Sequence, residues 1–399
     1  MGYWKQKMIE ENERWYNLPD ETLNVCKKHF EDFYLINFIE DNSASGICSY
    51  CGEKTKVVKL SHFMEHVIKQ IEKYFNYPEN EGLPLASGYY DDDKEVIPGV
   101  ERYGSLVAPS HAEHYDCIED LLYEIGLIAD DDILNEEIKN CFLHDEWIQR
   151  DCYVMSMGQE LSYRWNIFEE MVKYERRFTF FKTSEFAGDE KSDYYCLMDI
   201  LTELGNAISS YNLCKEIKEG EEIFRCRFLN EGEVAKSFVE VTSPPKERAK
   251  QSRMSPAGVS MFYGAFDEKT AIIESRPIDE DIKKYVVAKF KTMRNLNILD
   301  LSSLPLMSFW MPSDYSVVEF LHSFKIKITK PIQRDDCVHF EYVPSQVFTE
   351  YLRCIYLPND KKKIDGIIYN SSLDGANNNI VLFYDQKSSS NVLELVEIC

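Results

Sequence analysis

The chain has 399 residues, 44% of them hydrophobic and 13% aromatic, which is enough apolar mass for two or three domains with sizeable cores and excludes a disordered chain. Forty-five basic residues against sixty-nine acidic ones leave a net charge of −24. That balance repels nucleic acid and supplies no polybasic membrane anchor, and no uninterrupted apolar run approaches membrane-spanning length.

The start, MGYWKQKMIEENERWY, is polar and acidic and has no apolar core of a secretory leader. Gln6 stands where myristoylation of Gly2 would want Ser or Thr. A cytoplasmic, reducing location is therefore expected, and most of the twelve cysteines, such as Cys117, Cys141, Cys196 and Cys214, read as buried free thiols inside apolar runs. One group differs. Cys26-x2-His29 and Cys48-x2-Cys51 give two ligand pairs separated by eighteen residues, the layout of a small zinc ribbon or knuckle. Each two-residue gap lets one tight turn present both side chains to a single tetrahedral ion, and Gly52 follows the second pair as such a turn wants. Four protein ligands would fill the coordination shell, so the site reads as structural zinc; a metal-free thiol pair is the alternative, and a redox pair lacks the βαβ surroundings it would need.

Beyond this segment, expected to span residues 1–55, apolar residues fall at three- and four-residue spacing. Val58, Leu60, Phe63, Met64, Val67, Ile68, Ile71 and Phe75 form one stripe; Leu161, Trp165, Phe168, Met171 and Val172 form a second; Leu197, Ile200, Leu201, Leu204 and Ile208 form a third. These predict an all-helical domain over residues 56–219. It is interrupted from Pro78 to His114 by a Pro- and Gly-rich stretch containing Asp91, Asp92 and Asp93, which reads as a long surface loop or strand pair. Asp130, Asp131 and Asp132 read as a helix start. Neither triplet has the ligand spacing of a calcium loop, and His111 with His114 reads as ordinary loop structure. The charged linker KEIKEGEE, residues 215–222, places a boundary near residue 220, with a third domain over 220–399.

That last region carries the chemistry. From Arg253 to Glu274, RMSPAGVSMFYGAFDEKTAIIE reads as loop, strand, turn and helix, with Gly258 at the turn and Tyr263 ending the strand. Such residues suit cleavage of a glycosidic bond whose leaving group is already cationic and departs neutral, as nicotinamide does. No proton donor is then required; a carboxylate that stabilises the oxocarbenium-like sugar is. Glu274 fits that role, a guanidinium such as Arg253 fits a pyrophosphate, and the Tyr263 ring fits a flat base. An Arg, a Tyr and a Glu in one such window also occur in ordinary globular chains. Lys246, Arg248, Lys250 and Arg253, with only Glu247 among them, form a local basic stretch that could focus an anion despite the acidic chain, or a solvated loop.

The same window resembles the core signature of the RES domain, named for its Arg, Glu and Ser and found in NAD-degrading bacterial toxins, at the Arg, Gly, Tyr and Glu positions. Phe224-Arg225-Cys226-Arg227 is similar to that family's opening strand, Asn297 to Leu301 to its central strand, and Tyr342 to Gln346 with Glu350 and Tyr351 to a helix start of its longer members. Asp365 to Ser372 and Asn377 to Phe383 resemble its closing strands. The family often has Pro before its serine, where this chain has Asn370, so Ser371 and Ser372 are both candidates and Ser371 is favoured.

The resemblance implies an α+β protein: a zinc ribbon and a helical, HEPN-like domain, then an ADP-ribosyltransferase-like domain in which NAD lies between two small antiparallel sheets with flanking helices. It implies NAD as substrate and release of nicotinamide, with phosphate or water as acceptor. Glu274, Arg253, Tyr263 and Ser371 would be catalytic, and Arg227, Arg225, Gly258 and Ser372 would bind the dinucleotide. Transfer of ADP-ribose to a protein, or nucleotide sensing without turnover, are the alternatives. Longer members carry a similar Cys-rich N-terminal segment, which supports zinc at Cys26, His29, Cys48 and Cys51. The Arg-x4–6-His signal of HEPN nucleases is missing from the helical region. An enzyme that destroys NAD would poison its own cell, so restraint is expected from an antitoxin or defence-system partner, from a homo-oligomer, or from the N-terminal module, in a setting such as phage defence.

Overall fold

In the computed structural model, residues 16–83, 100–103, 106–179, 199–276, 284–330, 338–358, 361–371, 373 and 377–399 are described. The Asp91–Asp93 triplet, Cys196, Leu197 and Ser372 lie outside them. The chain forms two compact units, one of residues 1–156 and 307–315, the other of 157–306 and 316–399.

The first unit holds β1 (Asn24–Val25), α1 (Phe33–Asp41), β2 (Ala44–Ile47), β3 (Lys54–Lys59), α2 (Leu60–Tyr74) and β4 (Phe75–Asn76). It continues through β5 (Val100–Tyr103), β6 (Leu106–Pro109), β7 (His114–Tyr115), α3 (Ile118–Glu124), α4 (Asp132–Lys139) and β8 (Trp147–Gln149). Helix α2 buries Leu60, Phe63, Met64, Val67, Ile68 and Ile71, the apolar face its spacing predicts. Each of these side chains contributes about 1.5–3 kcal/mol on burial. They pack with Val25, Leu35 and Ile39, with Leu121 and Leu134, and with Trp147, Phe309 and Trp310. Gln70 donates to the carbonyls of Phe309 at 2.6 Å and Met311 at 3.2 Å, which ties the distant 307–315 segment into this core. Asp131 caps α4 by accepting from the Leu134 amide, so the second acidic triplet does start a helix.

Two features differ from the all-helical expectation. Strands order as β1-β3-β2 and β4-β8-β7, so the unit is mixed, and β5 pairs with β6 inside the stretch read as a long loop or strand pair. These strands are two to six residues long, too short to imprint a period of two on the sequence. The compact units also divide the chain elsewhere than at residues 55 and 219. The Cys-containing segment shares a core with α2, while the later helices pack with the C-terminal sheet.

Those helices are α5 (Met157–Glu170) and α6 (Ile200–Ser210), and they open the second unit. It continues with β9 (Cys214–Ile217), β10 (Glu222–Phe228), β11 (Phe262–Ala265), α7 (Glu268–Ser275), β12 (Tyr285–Thr292) and β13 (Leu296–Asp300). Then follow α8 (Tyr315–Thr329), α9 (Val343–Cys354), β14 (Gly366–Asn370), β15 (Asn378–Leu382) and β16 (Leu393–Ile398). In place of two small antiparallel sheets there is one eight-stranded sheet, ordered β16-β12-β10-β11-β15-β14-β13-β9. All its pairs are antiparallel except β13 with β14.

Its centre is narrow. The β10–β11 junction aligns one pair, Phe224 with Ala265, whereas β10 and β12 align along all of β10. Alternation along the strands separates two cores. Ile367, Tyr369 and Val381 face Trp165, Phe168, Leu204, Phe324 and Phe348 from the helices. Ile368, Ile380 and Leu382 face the opposite side with Ile223, Phe262 and Phe290.

Candidate functional site

The metal-ligand candidates come together. The ligating atoms of Cys26, His29, Cys48 and Cys51 all lie within 4.8 Å of one another. A tetrahedral ion with metal–sulfur bonds of about 2.3 Å and metal–nitrogen bonds of about 2.0 Å sets sulfurs about 3.8 Å apart and sulfur and nitrogen about 3.5 Å apart. Here Cys26 Sγ and Cys51 Sγ are 3.7 Å apart, and Cys48 Sγ is 3.3 Å from His29 Nε2. The Cys48–Cys51 turn closes through the Gly52 amide, which bonds the Cys48 carbonyl at 3.1 Å with Gly52 at φ 71°. His29 Nδ1 lies 2.6 Å from an Asp130 carboxylate oxygen, which directs Nε2 toward the cluster. The donor set and its geometry fit zinc. Asp130 is the residue that spacing did not single out, because it is about a hundred positions away from the histidine it orients.

The second candidate is a cavity of about 770 Å³ in the C-terminal unit, within the ~300–1,000 Å³ range of ligand sites. Arg225 on β10, Arg253, Tyr263 on β11 and Glu274 on α7 all line it, as do Tyr342, Tyr369 and Asn379. Glu274 is the one carboxylate among the described lining residues, against the cations Arg225, Arg248, Lys250 and Arg253. A positive interior is thus built into an acidic chain.

Asp267 caps α7 by accepting from the Thr270 amide at 2.8 Å, and the helix carries Glu274 in its last turn. Helix-dipole polarity disfavours a carboxylate there. Two donors offset it: Ser371 Oγ at 2.5 Å and Asn379 Nδ2 at 2.8 Å, both to Glu274 Oε1. Hydrogen bonds to ionised groups contribute about 1.5–3 kcal/mol each.

Tyr263 is held by Ser255, whose Oγ lies 2.8 Å from the phenolic oxygen, and burial pushes that phenol up to about 12. The Arg225 guanidinium donates to the Tyr263 carbonyl at 2.6 Å. Burial pulls it down to about 10, so it stays cationic at neutral pH. Its Nε is buried with no partner among the described residues. Arg253 Nη1 donates to the carbonyls of Ile328 at 3.1 Å and Lys330 at 2.7 Å, and the guanidinium lies 5.5 Å from the Tyr342 ring centre.

The loop bearing Arg253 is clamped by α9. Ser345 Oγ donates to the Arg253 carbonyl at 2.6 Å, and Gln346 Nε2 to the Ser252 carbonyl at 2.8 Å. Gly258 closes the same loop at φ 85°, its amide bonding the Ala249 carbonyl; it is a turn residue and does not line the cavity.

Two expected ligand contacts are placed elsewhere. Arg227, two residues along the same face of β10 from Arg225, instead pairs with the Glu233 carboxylate and the Glu240 carbonyl away from the cavity lining. Ser371 is buried, and its hydroxyl is spent on Glu274 and on the Leu373 amide at 3.2 Å. Tyr342, Tyr369 and Asn379 were not singled out as site residues. The first belongs to the helix start noted in the sequence, whereas strand residues such as Tyr369 and Asn379 carry no local mark of function.

Comparison with known families agrees with this layout. Residues 41–186 match the HEPN/RES N-terminal domain 1, and residues 223–394 match the RES domain. The chain belongs to the RES proteins in their long form, with a HEPN-like module ahead of the RES domain. Cys26 and His29 precede the first matched span, which holds Cys48 and Cys51. No curated protein and no solved structure matches the chain. Among the described residues no helix is long and apolar enough to cross a membrane.

Proposed function

We propose that the RES domain cleaves the nicotinamide–ribose bond of NAD, releasing nicotinamide and passing ADP-ribose to phosphate or water. The observation that carries this reading is Glu274, the one carboxylate among the described lining residues, set in a cation-lined cavity of NAD-compatible size beside the Tyr263, Tyr342 and Tyr369 rings. The RES family's association with NAD supports the same substrate.

In this reading Arg225 and Arg253 hold the pyrophosphate, and Tyr263 presents its ring to nicotinamide. Glu274 stabilises positive charge as it grows on the ribose, an interaction stronger in the transition state than in the ground state. Ser371 acts through Glu274 instead of touching the ligand. The Cys26, His29, Cys48 and Cys51 cluster holds zinc as a structural ion for the N-terminal unit. Restraint of the activity in the cell falls to an antitoxin or defence partner, to self-association, or to the N-terminal module.

Incubating the full chain with NAD, with and without phosphate, and identifying products by mass spectrometry tests the reading. Free nicotinamide with ADP-ribose or its phosphate adduct is the expected result. ADP-ribose attached to protein would move the assignment to a transferase, and tight NAD binding without nicotinamide release would move it to a sensor.

A further inference from the structure

Glu274 has two carboxylate oxygens, and both of its hydrogen bonds fall on one of them. Ser371 Oγ at 2.5 Å and Asn379 Nδ2 at 2.8 Å share Oε1. Among the described residues Oε2 makes no hydrogen bond. Two donors converging on one oxygen from different directions fix the carboxylate plane, which a glutamate with three rotatable side-chain bonds does not fix by itself.

The donor from Asn379 is itself held. Asn379 is 4% exposed and sits on β15 opposite Tyr369 of β14, both lining the cavity. The next aligned pair, Asn378 with Asn370, points to the other face of the same hairpin. There Asn370 Nδ2 donates to Asn378 Oδ1 at 3.1 Å, and Asn378 Nδ2 donates to Ser302 Oγ at 3.1 Å. Ser302 in turn donates to Asp300 through its hydroxyl at 2.6 Å and its amide at 2.9 Å, and Lys215 donates to the other Asp300 oxygen at 2.8 Å. A chain of bonds on one face thus pins the strand end whose opposite face aims at Glu274.

We propose that Asn379 is a positioning residue for the reaction: its side-chain amide locks Oε1 of Glu274 so that Oε2 is presented to the ribose of the dinucleotide. This rests on the NAD-cleaving reading of the cavity. A carboxylate free to rotate still attracts the substrate's positive charge, but it spends less time where the oxocarbenium character develops. Turnover then suffers and ground-state binding does not.

The test compares Asn379→Ala and Asn379→Leu with the wild-type full chain. Leu keeps the branched shape of Asn without the N–H donor and adds no charge beside Glu274, so packing and donation are separated. Expected for both variants is a kcat for nicotinamide release lower by about 10- to 100-fold, with the calorimetric Kd for NAD within about threefold of wild type. Wild-type kcat in Asn379→Leu overturns the proposal, as does a matched loss of binding and turnover accompanied by a lower Tm, which marks a structural role.

If the wild-type chain binds NAD but releases no nicotinamide, the functional reading fails on its own. The positioning claim is then read from crystal structures of wild type and Asn379→Ala. A Glu274 carboxylate displaced or rotated in the variant supports it, and an unmoved one overturns it.

Discussion

The metal cluster and the cavity are built in opposite ways. All four ligands of the cluster lie between Cys26 and Cys51, and two tight turns bring each pair together within one short segment. The cavity gathers Arg225, Arg253, Glu274, Tyr342, Tyr369 and Asn379 from two loops, a helix and several strands. It exists only once the eight-stranded sheet is assembled. A locally encoded site depends on its ligands one by one, whereas an assembled site depends on the elements that carry its residues.

The sharpest way to break this comparison is at the cluster. Cys48→Ala should abolish metal binding, seen as loss of one zinc per chain by elemental analysis. Hydrogen exchange should show lost protection across residues 60–74, since a structural zinc contributes about 10–16 kcal/mol in zinc-finger peptides. Retained zinc at full occupancy would show that the four side chains do not act as one site.

At the cavity, Glu274→Gln should reduce nicotinamide release by about 10²–10³-fold while NAD binding persists, the signature of an interaction made mainly in the transition state. Equal losses in binding and turnover would point instead to a collapsed pocket.

Core substitutions sharpen the picture at intermediate scale. Phe63 is fully buried on α2, and Phe63→Ala should cost about 3–5 kcal/mol by denaturant unfolding of the N-terminal unit. A cost under about 1 kcal/mol, the range of volume-conserving swaps, would contradict the packing described.

The smallest effect is a pH-dependent cap. Bonds from the Ser388 hydroxyl and amide hold Asp385 down to about 2 from its usual 3.8. Because the folded value is depressed, its stabilisation is complete above pH 3.8 and disappears as pH falls through about 2. Asp385→Asn keeps a capping acceptor and removes only the charge, so it should cost about 0.3–1 kcal/mol at neutral pH. In denaturant melts the difference should vanish near pH 2; a gap that persists there would mean the charge is not the cause.

Much of this was legible along the chain. The Cys26–Cys51 spacing marked the cluster, and the α2 stripe from Leu60 to Ile71 marked a buried face. The Arg253–Glu274 window marked three lining residues of the cavity. The β5–β6 pair falls within the stretch read as a loop or strand pair, but the short strands β1 to β4, β7 and β8 were not legible, since two to six residues record no clear period, and neither was the joining of two half-sheets at Phe224 and Ala265. Arg225 and Arg227 look equivalent in sequence, yet two residues apart on a strand with different neighbours they end in different surroundings: one in the cavity, the other paired with Glu233.

The sequence by itself determined the ligand set of the metal cluster, the apolar helix faces and the family of the C-terminal domain, because each is written in short-range spacing. Only the tertiary structure decided that Asp130 orients His29, that α9 clamps the Arg253 loop, and that Ser371 and Asn379 hold one oxygen of Glu274. Those contacts join residues about ninety to a hundred positions apart. A hydrogen bond across such a distance depends on where sheet register and helix packing leave two side chains, and no local pattern records that.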